Sequence, residues 1–448
     1  MGQRTRILTQ VTGFMGWNVA EHRWESARGE RVAPVAGFDV FPDAVLVLKM
    51  GRRWAPRCGA CLAIVPLSRC HERRKLRRWN DLPWAGHRVV IEYEPCRLKC
   101  LHCGSHATEL LGWADAKQRQ TRRLQQHLAL DAFSMPVSHV ATKYGLSWRT
   151  VRRSEEAAIA RWETTRPPKV LRCIGLDEKW LGRRNKRKEK FITIVSDLET
   201  GEPVWIGYGR DSATVQQWLG TLTAEQKAQL VLCASDMHDP FKKAIREDEA
   251  LAHVAYAHDP FHIMKRAGEA ISELRREIFF RAGAEMRAAG RGTRWLVLRP
   301  WYRLSDGEKI QLARLFRLSN GKLARAYQTV EQLREALKAP DEATLADALW
   351  PVLQRTARRS NVPMRKLHDS LLAHMDGILA LAHHRPPTGR IEALNNNWET
   401  LVRRGRGYRD HQYLLRKLRF ITANPVRTRD GILRFLALGI TPPISEAA

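Results

Sequence analysis

The sequence predicts a multidomain α/β protein: a cysteine-rich β domain, a helix-turn-helix, then a mixed sheet interrupted by an all-helical insertion. Three observations predict it. Paired cysteines cluster before residue 110, among strand-like runs. An alanine, a glycine and a valine at 141, 145 and 151 carry the spacing of two short crossing helices. From 171 to 257 apolar runs of strand length alternate with helical stretches, and from 261 to 384 only helical periodicity remains.

Residues 1 to about 45 are loosely patterned, and the stretch 41–50 carries a strand-like run at 44–48. A basic, polar segment at 69–78 precedes a second expected strand at 88–93. Cys58-Gly-Ala-Cys61 and Cys100-Leu-His-Cys103 form two C-x-x-C pairs. Two such knuckles can set four thiolates tetrahedrally around one structural Zn2+, closed to catalysis because no position stays open. The gap between the pairs exceeds the usual ~15–20 residues, so a hairpin should project from this zinc ribbon. Cys70, His71 and Cys96 are spare ligands that could replace one of the four or build a second site.

A basic helical stretch covers 116–163, and Pro167-Pro168 marks a linker. Within it, Ala141 fits a close helix crossing, Gly145 a turn with positive φ, Ser147 a helix cap, and Val151 packs the second helix back on the first. Trp148, Arg149, Arg152 and Arg153 would then face a DNA groove or its phosphates.

Beyond the linker, strands are expected at 171–177, 191–195, 203–208, 229–234 and 252–257, with helices at 214–222 and 240–247. A basic turn covers 183–190 and a hairpin turn 199–202. This order, β-β-β-α-β-α-β, is that of an RNase H-like sheet. Asp177 and Asp236 each end an apolar strand, and Glu392 heads a helix after the break at 385–389. Phosphodiester chemistry uses such a cluster. Two hard cations, Mg2+ or Mn2+, take oxygen ligands, activate the attacking oxygen and stabilise the leaving one. Asn395 shares a helical face with Glu392. Asp259 and Glu399 compete as acidic ligands, whereas strand alternation turns Glu178 away.

Charge agrees with a polyanionic partner. The chain carries 76 basic against 47 acidic residues, a net +29, and Arg exceeds Lys. Nucleic acid neutralises such an excess and releases counterions as it binds. Hydrophobic content of 44% excludes global disorder. No stretch reaches the ~18 apolar residues a membrane span needs, and the N-terminus lacks a signal-peptide core. A cytoplasmic, nucleoid-associated location is expected, with the eight cysteines reduced or metal-bound.

Several short patterns occur together and in order: Gly175-Leu176-Asp177-Glu178, Asp236-Met237, Asp259-Pro260-Phe261-His262, Glu392-Ala393-Leu394-Asn395, then Arg403 and Gly407-Tyr408. With the cysteine pairs and the helix-turn-helix before them, the chain resembles the ISL3 family of bacterial insertion-sequence transposases over nearly its whole length. The resemblance implies Asp177, Asp236 and Glu392 as a DDE triad. Ala393 stands where Gly is usual, and Glu399 where Lys is common. It also implies metal-dependent cleavage at transposon ends, strand transfer into target DNA, and two protomers in the synaptic complex. Asn395, Arg403 and Arg404 would contact phosphates near the scissile bond. The expected division is 1–110 zinc-binding, 111–168 helix-turn-helix, 169–262 first catalytic part, 263–388 helical insertion, and 389–448 second catalytic part with C-terminal helices. Two other readings fit these residues: a non-catalytic DNA-binding regulator derived from such an enzyme, and an RNase H-like nuclease.

Overall fold

The computed structural model describes residues 3–32, 44–181, 190–405 and 408–440, with side chains from residue 5 onward. Residues 41–43 of the first strand-like run, 183–189 of the basic turn, and Gly407 lie outside the described residues. The chain divides into two compact units, Met1–Pro167 with Leu401–Ala448, and Pro168–Thr400.

The first unit begins with α1 (Gln3–Thr12), β1 (Trp17–Glu25), β2 (Arg31–Val32) and β3 (Val45–Arg52). A stretch that reads as loosely patterned is therefore largely structured. The physical reason is a bulge between Val19 and Glu21, which breaks the two-residue alternation that would mark β1. Next come β4 (Cys70–Arg73), β5 (Arg77–Trp84), β6 (His87–Tyr93), β7 (Cys96–Lys99) and β8 (His106–Thr108). One sheet has the order β2-β1-β3-β6-β5; a smaller one is β4-β7-β8. Leu8, Trp17, Val19, Leu48, Trp79 and Ile91 fill the core under the larger sheet.

Three helices follow: α2 (Arg122–Ser134), α3 (Val137–Tyr144) and α4 (Trp148–Thr164). Thr121 caps α2 by accepting from the Leu124 N–H. Gly145 ends α3 at φ 61°, a left-handed turn. Ser147 caps α4, its Oγ accepting from the Thr150 N–H at 3.1 Å. Ala141 and Val151 are buried in one cluster with Leu124, Leu128 and Val140.

In the second unit β9 (Cys173–Trp180), β10 (Phe191–Asp197) and β11 (Pro203–Tyr208) form an antiparallel meander. Then come α5 (Ser212–Leu219), α6 (Ala224–Ala228), β12 (Leu232–Ser235), α7 (Asp239–Arg246) and β13 (Ala255–His258). The sheet order is β11-β10-β9-β12-β13, with β12 parallel to both β9 and β13. Parallel strands need crossover connections, and α5, α6 and α7 lie in those crossovers.

A helical region follows: α8 (Pro260–Phe280), α9 (Ala284–Gly290), α10 (Arg294–Leu298), α11 (Asp306–Leu318), α12 (Lys322–Ala336), α13 (Glu342–Thr356), α14 (Val362–Ala373) and α15 (Met375–His384). Its buried face includes Ile271, Leu274, Leu312, Leu333, Leu349 and Leu371. Helix α16 (Gly389–Gly405) follows, and the second unit ends within it at Thr400. The first unit closes with α17 (His411–Ala423) and α18 (Arg429–Ala437). No described helix is long and apolar enough to cross a membrane.

Candidate metal centres and nucleic-acid interface

Register places two carboxylates side by side. Ser235 of β12 pairs with Leu176 of β9, in parallel. Asp177 and Asp236 each stand one residue further on. Adjacent strands lie ~4.8 Å apart, so the two backbones are neighbours. Burial is the main cause that lifts the Asp236 carboxyl above its ordinary range, and the charges of Asp177 and Glu178 add to it. Asp236 Oδ1 is buried with no hydrogen-bond donor. Asp177 Oδ2 likewise receives no hydrogen bond, although Lys179 Nζ lies 3.0 Å away as an ion pair. Buried carboxylate oxygens without donors are costly unless a cation meets them.

Asp259 follows β13 and accepts from the Phe261 N–H at 2.9 Å, capping α8. Its Oδ2 lies 3.1 Å from His262 Nδ1. Burial opposes the His262 imidazolium, but Asp259, Asp236 and Asp177 together outweigh it and raise the pKa. Thus the Asp-x-Phe-His segment supplies a cation-forming side chain whose charge the carboxylates of Asp259, Asp236 and Asp177 favour. Sequence spacing alone reads Asp259 as a rival acid; the geometry makes it the partner of His262 instead.

Glu392 sits in the first turn of α16 and is exposed. Its neighbour Ile391 packs with Leu198 and Ala234. A Cβ on Gly175 would stand 2.9 Å from Ile391 Cδ1, so Ile391 of the helix packs directly against the bare backbone of β9 at this glycine. Side chains alternate along a strand, so Gly175 and Asp177 share a face. Helix α16 therefore crosses the face that carries Asp177. Asn395 Oδ1 is buried without a partner, one turn beyond Ile391. Glu399 is exposed further along α16.

The four cysteines of the paired knuckles converge. Their Sγ atoms all lie within 4.8 Å of one another, the single group of His, Cys, Asp and Glu ligands so gathered among the described residues. The carboxylates of Asp177, Asp236 and Glu392 are thus not drawn together to that degree. Cys61 and Cys100 sulfurs are 3.6 Å apart, Cys58 and Cys103 3.9 Å. Burial opposes ionisation of Cys58, yet the backbone N–H groups of Cys61 and Ala60 hold it down at about 6. A Cβ on Gly59 would stand 2.2 Å from the Thr108 carbonyl oxygen, so the knuckle turn requires glycine. This donor set, two thiols buried, one half-buried and one exposed, could hold a zinc ion. Cys70 and Cys96 lie on the neighbouring strands β4 and β7, and burial followed by the Cys70 thiol pushes Cys96 up to about 11.

On α4, Trp148, Arg149 and Arg153 are exposed. Arg152 is engaged within its own unit. It pairs with Glu156 at 3.0 Å and with Asp410, and lies 4.4 Å over the Tyr413 ring. Arg403 is exposed, whereas Arg404 Nη1 donates to the Phe133 carbonyl at 2.6 Å. Sequence reasoning missed the elements behind α4. Lys417 Nζ donates to Glu155 Oε1 at 2.7 Å, and Tyr413 Oη donates to Glu155 Oε2, all three residues buried. The pairing joins positions so far apart in sequence that no local signal reveals it.

Comparison with known proteins matches this organisation. A family model described as "Transposase" matches residues 174–418. One described as "Helix-turn-helix domain of transposase family ISL3" matches residues 109–153, which include α2, α3 and the start of α4. The transposase for insertion sequence element IS1001 of Bordetella parapertussis is 26% identical over 425 residues, 92% of this chain and 97% of that protein. The transposase for insertion sequence element IS1557 of Mycobacterium tuberculosis is 26% identical over 372 residues, 76% of this chain and 80% of that protein.

Proposed function

The chain belongs to the ISL3 family of transposases, and we propose that it is a DDE-type enzyme that binds the terminal inverted repeats of an insertion sequence, cleaves there and transfers the freed strand to target DNA. One observation carries the catalytic part: Asp177, within β9, and Asp236, just past the end of β12, stand one residue beyond a paired position of two adjacent parallel strands, and the buried Asp236 Oδ1 has no donor. The strand order, three antiparallel strands followed by two parallel ones, supports the RNase H-like reading of this sheet. The five-part division stays with this reading: 1–110 zinc-binding, 111–168 helix-turn-helix, 169–262 and 389–448 catalytic, 263–388 insertion.

Asp177, Asp236 and Glu392 would hold two Mg2+ or Mn2+ ions. Bound there, such ions supply the positive charge that activates the attacking oxygen and steadies the leaving one. The chain's own groups do the rest. Asp177 and Asp236 fix the site on two rigid strands. His262, oriented by Asp259, would offer an N–H donor to the substrate. Trp148, Arg149 and Arg153 would read or clamp the end sequence, with Asn395, Arg403 and Arg404 near the scissile phosphate. Arg152 would join them only on exchanging its bonds to Glu156 and Asp410 for phosphate. Two chains would meet on paired transposon ends.

The test is cleavage and strand joining on duplex DNA that carries the element's end, with Mg2+ or Mn2+ added or withheld. Joining separates a transposase from a nuclease, and any cleavage separates it from a regulator. In this assay Glu392→Gln is expected to lose product by about 10³-fold, the scale of removing a ligand from a two-metal site. Glu399→Gln is expected to stay within about tenfold of the parent. The reverse order would transfer the third-ligand role to Glu399.

The thiol cluster has its own prediction. Elemental analysis of the purified chain is expected to find about one structural zinc, since four thiolates close one tetrahedral site. Cys100→Ser should lose that zinc and lower the melting temperature of the first unit. Full zinc occupancy in Cys100→Ser would exclude this four-thiolate site.

A further inference from the structure

The helical region of the second unit exposes aromatic rings among cations. Trp295 is 63% exposed, Trp301 42%, Tyr302 67% and Phe261 55%. Single exposed apolar side chains are ordinary, but rings grouped with cations mark an interaction surface. Helix α10, which carries Trp295, turns Leu296 and Val297 into the core and leaves the indole outside. Leu298 packs against Gly268 of α8, where an added Cβ would meet it at 3.1 Å. That close packing sets Trp295 across a cleft from the start of α8.

The cleft has a volume of about 920 Å3, and Phe261 and Trp295 both line it. Lys265, Arg276 and Arg294 stand on its walls with Glu269 and Glu273. Lys366 lies 3.4 Å from Glu273 and offsets its charge. Arg294 Cζ lies 5.5 Å from the Trp295 ring, and Arg303 Cζ 5.7 Å from that of Tyr302. Phe261, which lines the cleft, directly precedes His262, whose Nδ1 lies 3.1 Å from Asp259 Oδ2.

We infer that this cleft binds an unpaired DNA nucleotide next to the scissile bond, stacking its base on Trp295 and Phe261 while Lys265, Arg276 and Arg294 hold its phosphates. The inference rests on reading the adjacent carboxylates as the cleavage site. Duplex DNA offers phosphates to the cations but keeps its bases stacked away from the rings. An unpaired base offers a free π-face, which exposed rings and guanidinium groups bind without regard to sequence. The volume lies within the ~300–1,000 Å3 of clefts that enclose small ligands, enough for one or two nucleotides and too small for a duplex.

The experiment uses the full chain and a fluorescein-labelled twelve-nucleotide thymidine strand, with binding read as anisotropy without added Mg2+. Trp295→Ala is expected to weaken binding by about tenfold, and Trp295→Phe by less than about threefold, because a ring remains to stack. Binding of a blunt duplex of equal length should be unchanged in both. Arg276→Ala should reduce the salt dependence of single-strand binding by about one phosphate contact. Equal losses on duplex and single strand would overturn the inference, as would a Trp295→Phe variant as weak as Trp295→Ala. Unchanged strand binding with altered sedimentation would also overturn it, making the patch a contact between copies. The readout needs no cleavage, so an inactive chain that still binds through Trp295 would refute the cleavage reading, and with it the place beside a scissile bond, while single-strand binding by the cleft would stand.

Discussion

Asp236→Asn is expected to reduce strand cleavage by about 10³-fold or more while leaving binding to end DNA within about twofold. The first figure follows from removing a charged oxygen ligand from a site that must concentrate cations on a phosphodiester, a loss of several kcal/mol in transition-state stabilisation. The second follows from the chain's organisation, since the helix-turn-helix lies in the other unit. Stability should move the opposite way to activity. Burial, joined by the Asp177 and Glu178 charges, raises the Asp236 pKa in the folded state. A carboxyl whose folded pKa exceeds its unfolded value destabilises the fold once ionised. The penalty is absent below the unfolded value near ~3.9, grows as pH rises, and is complete above the folded value. The neutral amide removes it. Asn at 236 should therefore leave the second unit at least as stable at pH 7, and level with the parent at pH 3. Single-turnover cleavage, anisotropy and denaturant unfolding at the two pH values check the three parts. Cleavage within about tenfold of the parent would remove Asp236 from the catalytic set.

What the sequence disclosed follows the range of the interactions involved. The helix-turn-helix was legible because its signals are local: Gly145 supplies the positive φ and Ser147 the cap within one short stretch. Asp177 and Asp236 were legible because each ends an apolar run, and the strand order makes neighbours of β9 and β12. The expected edges of β12 and β13 differ from the observed ones by one to three residues, since apolar composition marks a strand but not where its ladder starts. Strand β1 was hidden by its bulge. The approach of α16 to β9 depends on Ile391 meeting Gly175, a contact that no spacing within either segment encodes. The cleft beside Trp295 escaped for a related reason. The run Arg-Trp-Leu-Val-Leu-Arg-Pro-Trp-Tyr-Arg reads as amphipathic helix, and only packing shows which rings stay outside.

The same long-range logic gives the largest expected effect on stability. Lys417→Ala should destabilise the first unit by about 3–5 kcal/mol, because it leaves the Glu155 carboxylate buried beside nothing but a tyrosine hydroxyl. Lys417 and Glu155 are both 1% exposed. At that depth the attraction between the charges roughly offsets their lost hydration, whereas one charge alone has no compensation. Hence replacing the whole network should cost far less than breaking it. Glu155→Leu with Lys417→Met and Tyr413→Phe removes both charges and the hydroxyl that would lose its acceptor, and should fall within about 1.5 kcal/mol of the parent. Helix α4, which begins with Trp148 and Arg149, proposed above to face DNA, is joined to α17 through this network and through Arg419–Glu163 at 3.1 Å. Lys417→Ala should therefore lose end-DNA binding at denaturant concentrations where the parent still binds, and the triple variant should recover it. Because the chain has two units, unfolding must be followed with a signal from the first, and end-DNA binding supplies one. A Lys417→Ala chain as stable as the parent would mean that water reaches Glu155 and that α17 does not brace α4. A triple variant no better than Lys417→Ala would instead show that the charges, not the packing around them, hold α17 on α4.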